Sequence, residues 1–155
     1  MLVYRVGRTK HANDLSGEGA KINGGRWNHK SIPCLYTSES RALSLLEYTV
    51  NVNIEEIPRT LSITVIEIPD SEILNIKEES LPGNWKQFPI PSSAQDFGTH
   101  LLETVKKSVI KIPSSIIAEE YNYILNPLHT NSKIFKIISI TGLVYDLRIA
   151  TCLKV

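Results

Sequence analysis

Along this chain, short alternating or β-branched hydrophobic runs outnumber stretches with helical spacing. Leu2, Val3, Tyr4 and Val6 predict a first strand over residues 2–6. Residues 7–25 are rich in Gly, Ser, Asn, Asp and Lys and predict a long loop. Arg26-Trp27-Asn28 leaves that loop as a short strand or strand edge, Ser31-Ile32-Pro33 turns the chain, and Cys34-Leu35-Tyr36 is a strand. A helix follows over about 39–50, with Thr37 or Ser38 able to cap it. Leu61, Ile63 and Val65 alternate with Ser62 and Thr64, the pattern of a half-buried strand, between Pro58 and Pro69. Residues 73–76 form a short strand and 81–85 a turn. Ser92 or Ser93 opens a second helix over about 94–107, with Phe97, Leu101, Leu102 and Val105 on its apolar side and Lys106 and Lys107 at its C-terminal end. Further strands are expected at 109–112, 115–117, 123–125 and 134–138, and a turn at Thr141-Gly142 leads into a last strand over 143–147.

Strands without regular β-helix-β alternation predict a mixed α+β architecture, largely antiparallel, with helices packed on the sheet. A chain of 155 residues with 42% hydrophobic residues suits one domain over 1–155 with one core. Seventeen basic and sixteen acidic residues give a formal charge of +1. That balance predicts no direct nucleic-acid binding and no attraction to an anionic membrane. No apolar run is long enough to span a bilayer, and residues 1–10 lack the apolar block of an export signal. Cys34 and Cys152 are therefore expected as free thiols in the cytoplasm.

Candidate chemistry concentrates between Gly24 and Val50. Leu43, Leu46, Glu47 and Val50 share one helix face, which places a carboxylate in an apolar stripe. A charge there costs several kcal/mol unless it is partnered. Glu47 either has a task, pairs with Arg41 or Arg26, or turns to water. Arg26 follows two glycines, which allow close backbone approach, and its guanidinium suits phosphate; it also reads as a surface charge. Tyr36 reads as core or as a ring that stacks on a heterocycle. Ser114, after Pro113, reads alone as a turn residue. Gly17-Glu18-Gly19 lacks the third glycine of a dinucleotide fingerprint, and the four histidines show no ligand spacing, so no metal is expected.

Taken together, these residues resemble the RES domain family, bacterial toxins of toxin–antitoxin pairs. Tyr4-Arg5 resembles the family's opening strand, Gly24-Gly25-Arg26-Trp27-Asn28 its Arg motif, Leu35-Tyr36-Thr37 its Tyr motif and Leu46-Glu47 its Glu motif. Ile112-Pro113-Ser114 with residues 122–127 resembles its Ser block; Pro82-Gly83-Asn84-Trp85 and Gln95 with Gly98 are weaker echoes. Ser31 stands where a glycine is usual, Leu101 where a tryptophan is common, and Thr130 where a proline is usual. The resemblance implies an ADP-ribosyltransferase-like fold that consumes NAD+ as substrate by cleaving its nicotinamide–ribose bond. Phosphorolysis, with inorganic phosphate as co-substrate, hydrolysis, and ADP-ribose transfer to a protein all remain open. It implies catalytic roles for Glu47, Arg26, Tyr36 and Ser114, and NAD+ contacts from Arg26, Tyr36, Trp27, Asn28 and Ser114. Glu47 would face the developing ribose cation, Arg26 would hold phosphates, and Ser114 would either bond the nicotinamide side or orient Glu47. The implied partner is a helix-turn-helix (Xre-type) antitoxin whose C-terminal part covers the pocket, with a homodimer within that complex left open.

Overall fold

The N-terminal run and the central alternating run, far apart in sequence, meet as neighbours. In the computed structural model, which describes residues 1–58 and 60–151, β1 (Leu2–Arg8) and β3 (Leu61–Glu67) pair antiparallel from Leu2 with Glu67 to Arg8 with Leu61. Around this pair lie β2 (Leu35–Ser38), β4 (Ile73–Asn75), β5 (Val109–Pro113), β6 (Tyr121–Leu125) and β7 (Lys136–Leu143). Among the described residues the sheet has seven strands in the order β4-β5-β6-β2-β1-β3-β7, and of these only β4 and β5 run parallel. The helices are α1 (Glu18–Asn23), α2 (Arg41–Asn51), α3 (Ser92–Thr104) and α4 (Leu147–Thr151).

Alternation along the strands feeds two apolar layers. Ile110, Ile112 and Ile124 face Trp27, Trp85 and, from α3, Ala94 and Leu102. Val109, Tyr123 and Leu125 face the other way and join Val3, Leu35, Ile66, Ile68 and Phe135. Each fully buried Ile or Leu contributes about 1.5–3 kcal/mol of burial free energy. Leu45 and Tyr48 of α2 pack against Val6, Leu61 and Tyr145. That seats α2 on the same side as α3, over the middle of the sheet.

One irregularity makes room for a site. β1 and β2 share a single registered pair, Tyr4 with Ser38, whereas β2 pairs with β6 along its full length. Beyond Tyr4 and Ser38 the two strands part, leaving a cleft between the second half of β1 and the start of β2.

Several local expectations are corrected. The loop over 7–25 contains a 3-10 turn at Thr9–His11 and the short helix α1. Residues 26–28 are a tight turn closed by a Gly25–Asn28 bridge, not a strand. Helix α2 begins at Arg41, capped by Ser40, whose hydroxyl accepts from Leu43 N. Thr37 and Ser38 remain in β2 because their hydroxyls are committed to β6, to Tyr123 O and Asn122 Oδ1. Ser62 and Thr64 are buried rather than solvated, because residues 9–14 fold over them: Ser62 bonds Thr9, and Thr64 donates to Ala12 O. Helix α3 stops at Thr104, where Val105 N closes on Leu101 O, so Lys106 and Lys107 lie past its end. Residues 115–117 are a turn, since the Ser114 hydroxyl accepts from Ile116 N and Ile117 N. The ladder with β3 carries β7 straight through Thr141 and Gly142, overriding their turn tendency, and residues 147–151 are helical. Ser31 has φ of +77°, a left-handed conformation that explains why a glycine is at home there.

Candidate active site

The parting of β1 and β2 opens into a cavity of about 710 Å³. Arg5, Arg26, Tyr36, Glu47, Phe88 and Asn122 are among its lining residues. The expected meeting of Arg26, Tyr36 and Glu47 on one cavity is thus found. Trp27 also lines it, but Asn28 and Ser114 do not.

The wall built by residues 24–28 is held together through backbone groups. Asn28 is fully buried, and its amide Nδ2 donates to Ala20 O (2.9 Å), Ile32 O (2.8 Å) and His29 O (3.2 Å). Its Oδ1 accepts from the Tyr36 hydroxyl at 2.7 Å, and that hydroxyl accepts from Trp27 N at 2.9 Å. The expectation that Asn28 contacts ligand is therefore corrected: every polar atom of its side chain is spent inside the protein. Tyr36 is half-buried as a residue, yet its hydroxyl is sealed between these partners. Burial first, and then the neighbouring Cys34, push the phenol well above its ordinary value. The ring presses on Gly25, where a Cβ would lie 2.6 Å from the Tyr36 hydroxyl oxygen. Trp27 is buried against Trp85, centroids 5.8 Å apart, and meets Phe97 edge-on at 6.2 Å.

Arg26 is tied on one side only. Its Nη1 donates to Trp85 O and, at 3.0 Å, to Gln87 O. This clamps the segment that carries Phe88, 84% exposed, at the cavity rim. Nη2 and Nε keep no hydrogen-bond partner among the described residues and remain available to an anion. Burial lowers the guanidinium's pKa, and the nearby Glu47 works in the opposite direction.

The opposite wall is made of side chains. Glu47, half-buried on α2, accepts at Oε1 from Asn122 Nδ2 (2.5 Å) and Ser114 Oγ (3.1 Å). Neither arginine considered from the sequence forms an ion pair with it among the described residues; Arg41 lies over the Tyr4 ring, 4.6 Å from its centroid. The stripe position of Glu47 is satisfied by two neutral donors instead. Ser114 is both things the sequence allowed, a turn former and a donor to Glu47, and it sits behind the carboxylate rather than on the cavity surface. Glu47 Oε2 accepts no hydrogen bond among the described residues.

Arg5, Ser38, Phe88 and Asn122 were not singled out as site residues from the sequence. Arg5 and Asn122 lay inside motif-like stretches, so the signal was present but unassigned. Arg5 donates to Asp14 O, His11 O and Ala12 O and pins the 11–14 turn beside the cavity, and burial lowers its pKa. Phe88 had no local signal beyond an aromatic residue before Pro89.

An acid, a half-free guanidinium and two aromatic rings around one cavity suit a cationic transition state next to an anionic, ring-bearing substrate. A family model described as RES domain matches residues 2–144. A Sphingobium protein named Prs ADP-ribosylating toxin is 37% identical over 145 residues, covering 91% of this chain and 89% of its own. A Yersinia enterocolitica protein named Toxin Res is 34% identical over 130 residues, covering 83% and 86%. Among solved structures, a chain of the M. tuberculosis MbcT–MbcA toxin–antitoxin complex superposes with a TM-score of 0.73 at 18% identity, over 92% of this chain and 84% of that one. That likeness bears out the α+β class expected from the sequence.

Proposed function

The chain belongs to the RES domain family, and from that premise we propose that it is the toxin of a toxin–antitoxin pair and that it consumes NAD+. The observation that carries the reading is the single cavity shared by Arg26, Tyr36 and Glu47, with the carboxylate held from behind and one oxygen left over. In this reading the C1′–N bond of NAD+ breaks, its electron pair goes to the nicotinamide nitrogen, and positive charge develops on the ribose. Glu47 lies opposite that charge and binds a ribose hydroxyl through Oε2. The unpaired side of Arg26 takes the diphosphate, while Tyr36 and Phe88 offer ring faces. Ser114 acts through Glu47 rather than on the substrate. Water, inorganic phosphate or a protein side chain then attacks C1′ and releases a proton. A helix-turn-helix antitoxin covering the cavity mouth, where Phe88 and Val50 are exposed, is the partner this reading expects.

Purified protein incubated with NAD+, with and without phosphate, is expected to release nicotinamide, and Glu47→Gln is expected to abolish release while keeping the thermal unfolding midpoint near that of the parent. No nicotinamide from the parent protein, or full turnover in Glu47→Gln, rejects the assignment. The relative named as an ADP-ribosylating toxin favours a second reading on the same site, transfer of ADP-ribose to a protein. Labelled NAD+ in a cell lysate separates the two: a discrete labelled band with little free ADP-ribose supports transfer.

A further inference from the structure

The carboxylate of Glu47 is held by a chain of contacts that begins one strand away. Ser38 Oγ lies 2.7 Å from Asn122 Oδ1, and Asn122 Nδ2 lies 2.5 Å from Glu47 Oε1. Ser38 is buried in β2, Asn122 is half-buried beside it in β6, and the two are registered partners in the sheet. Chemistry fixes the direction of each bond. A carboxylate only accepts, so the Asn122 amide must present its NH2 to Glu47. Its carbonyl then faces Ser38, whose hydroxyl must donate. A flipped amide would set its oxygen against the carboxylate and lose the bond to Glu47, while the Ser38 hydroxyl anchors the amide from the other side.

We propose that Asn122, anchored by Ser38, is a positioning residue that fixes the orientation of the Glu47 carboxylate, holding one oxygen so that the other meets the substrate. Asn122 and Ser114 both donate to Oε1, from β6 and from the turn after β5. With Oε1 occupied twice, carboxylate rotation about its terminal bond is stopped and Oε2 alone is presented to the cavity. A glutamate on a helix has several rotatable bonds, and sheet residues supply the rigidity it lacks. Ser38 contributes because β2 and β6 hold it and Asn122 in register. The arrangement rests on the reading of Glu47 as the carboxylate that faces the ribose.

Three variants test it against nicotinamide release. Asn122→Ala is expected to lower kcat about a hundredfold, the scale set by small misplacement of a reacting group, with KM changed little because no substrate contact is lost. Ser38→Ala is expected to lower kcat in the same way by a smaller factor. Asn122→Asp keeps the shape and places two carboxyls within hydrogen-bond distance. They share one proton, and the shared form still donates to Glu47. Its activity is therefore expected to fall as pH rises and that proton leaves, a limb absent from the parent and from Asn122→Ala. Should Asn122→Ala unfold, the near-isosteric Asn122→Asp profile decides alone. Parent-like kcat in Asn122→Ala, or a parent-like pH profile in Asn122→Asp, overturns the proposal while an inactive Glu47→Gln leaves the functional reading standing. Turnover retained in Glu47→Gln removes that reading itself, whatever Asn122 does.

Discussion

The two walls of the cavity are made in opposite ways. The 24–28 wall is held by backbone: Asn28 reaches three carbonyls, Arg26 reaches two, and Tyr36 is bonded to a main-chain N–H. The Glu47 wall is held by side chains from α2, β6 and the turn after β5. A wall built on backbone contact depends on the absence of atoms, because close approach leaves no room for a Cβ. A wall built on side chains depends on the presence of donors. Substitutions on the first should therefore cost stability and activity together, and substitutions on the second should cost mainly turnover.

The largest effect should come from Gly98, which lets α3 approach the 24–28 wall. A Cβ there would lie 2.2 Å from Trp27 O and 2.6 Å from Trp27 Cα. Alanine gains about 1 kcal/mol of helix propensity over glycine. Overpacking against backbone that cannot yield costs up to about 3 kcal/mol or more, so the clash wins. Gly98→Ala is expected to lose about 2 kcal/mol in urea unfolding and most nicotinamide release. A stabilised variant would show that the wall can retreat, and the comparison would fail. Gly25→Ala should follow the same pattern more weakly, since the atoms it meets belong to the Tyr36 side chain rather than to main chain.

How much of this was legible in sequence differs between the walls for the same reason. Gly24-Gly25 before Arg26 announced close approach, and the loop could be found from composition alone. That Asn28 turns inward could not, because its three carbonyl partners come from α1 and from the turn that Ser31 makes possible. Glu47 stood out as a charge in an apolar stripe. Its partners Ser114 and Asn122 are 67 and 75 residues away, so only strand order brings them near. Strand existence was readable for β1 to β6 from short runs of β-branched and aromatic residues, and for β3 also from its alternation. The short helix α1 was hidden because its six residues are too few to show a helical period. The continuation of β7 through Thr141-Gly142 was hidden because pairing with β3, not local propensity, decides it.

Next in size is Ser114→Ala, on the side-chain wall. It removes one of two donors to Glu47 and the acceptor for Ile116 N and Ile117 N. Leaving such groups unpaired costs about 1–3 kcal/mol each when they stay buried, and less here because the turn can open to water. Stability should fall by about 1 kcal/mol, while kcat falls about tenfold or more. A loss of stability with unchanged kcat would move Ser114 to a purely structural role. Tyr36→Phe, across the cavity, is the mirror experiment. It strands Trp27 N and Asn28 Oδ1, both inside the protein, so about 1–3 kcal/mol of stability should go with a smaller change in kcat.

The smallest effect distinguishes the walls by pH rather than by mutation. Cys34 lies under the Tyr36 side of the cavity, and burial pushes its thiol from an ordinary value of 9.0 up to about 12. The folded protein therefore keeps a proton that the unfolded chain loses above pH 9. With fewer protons bound in the unfolded state, stability is flat below that pH and falls as pH rises from 9 towards 12, by at most about 1.4 kcal/mol per pH unit. Tyr36, raised in the same direction, adds to the decline above pH 10. Urea midpoints measured from pH 8 to 11 should drop in the parent protein and drop less steeply in Cys34→Ala. In a Cys152→Ser background, Cys34 should also resist iodoacetamide at pH 8 until the protein unfolds, because the thiolate is the reacting form. Rapid labelling of the native protein would mean that the backbone-held wall opens readily, and the contrast in rigidity between the two sides of the cavity would be lost.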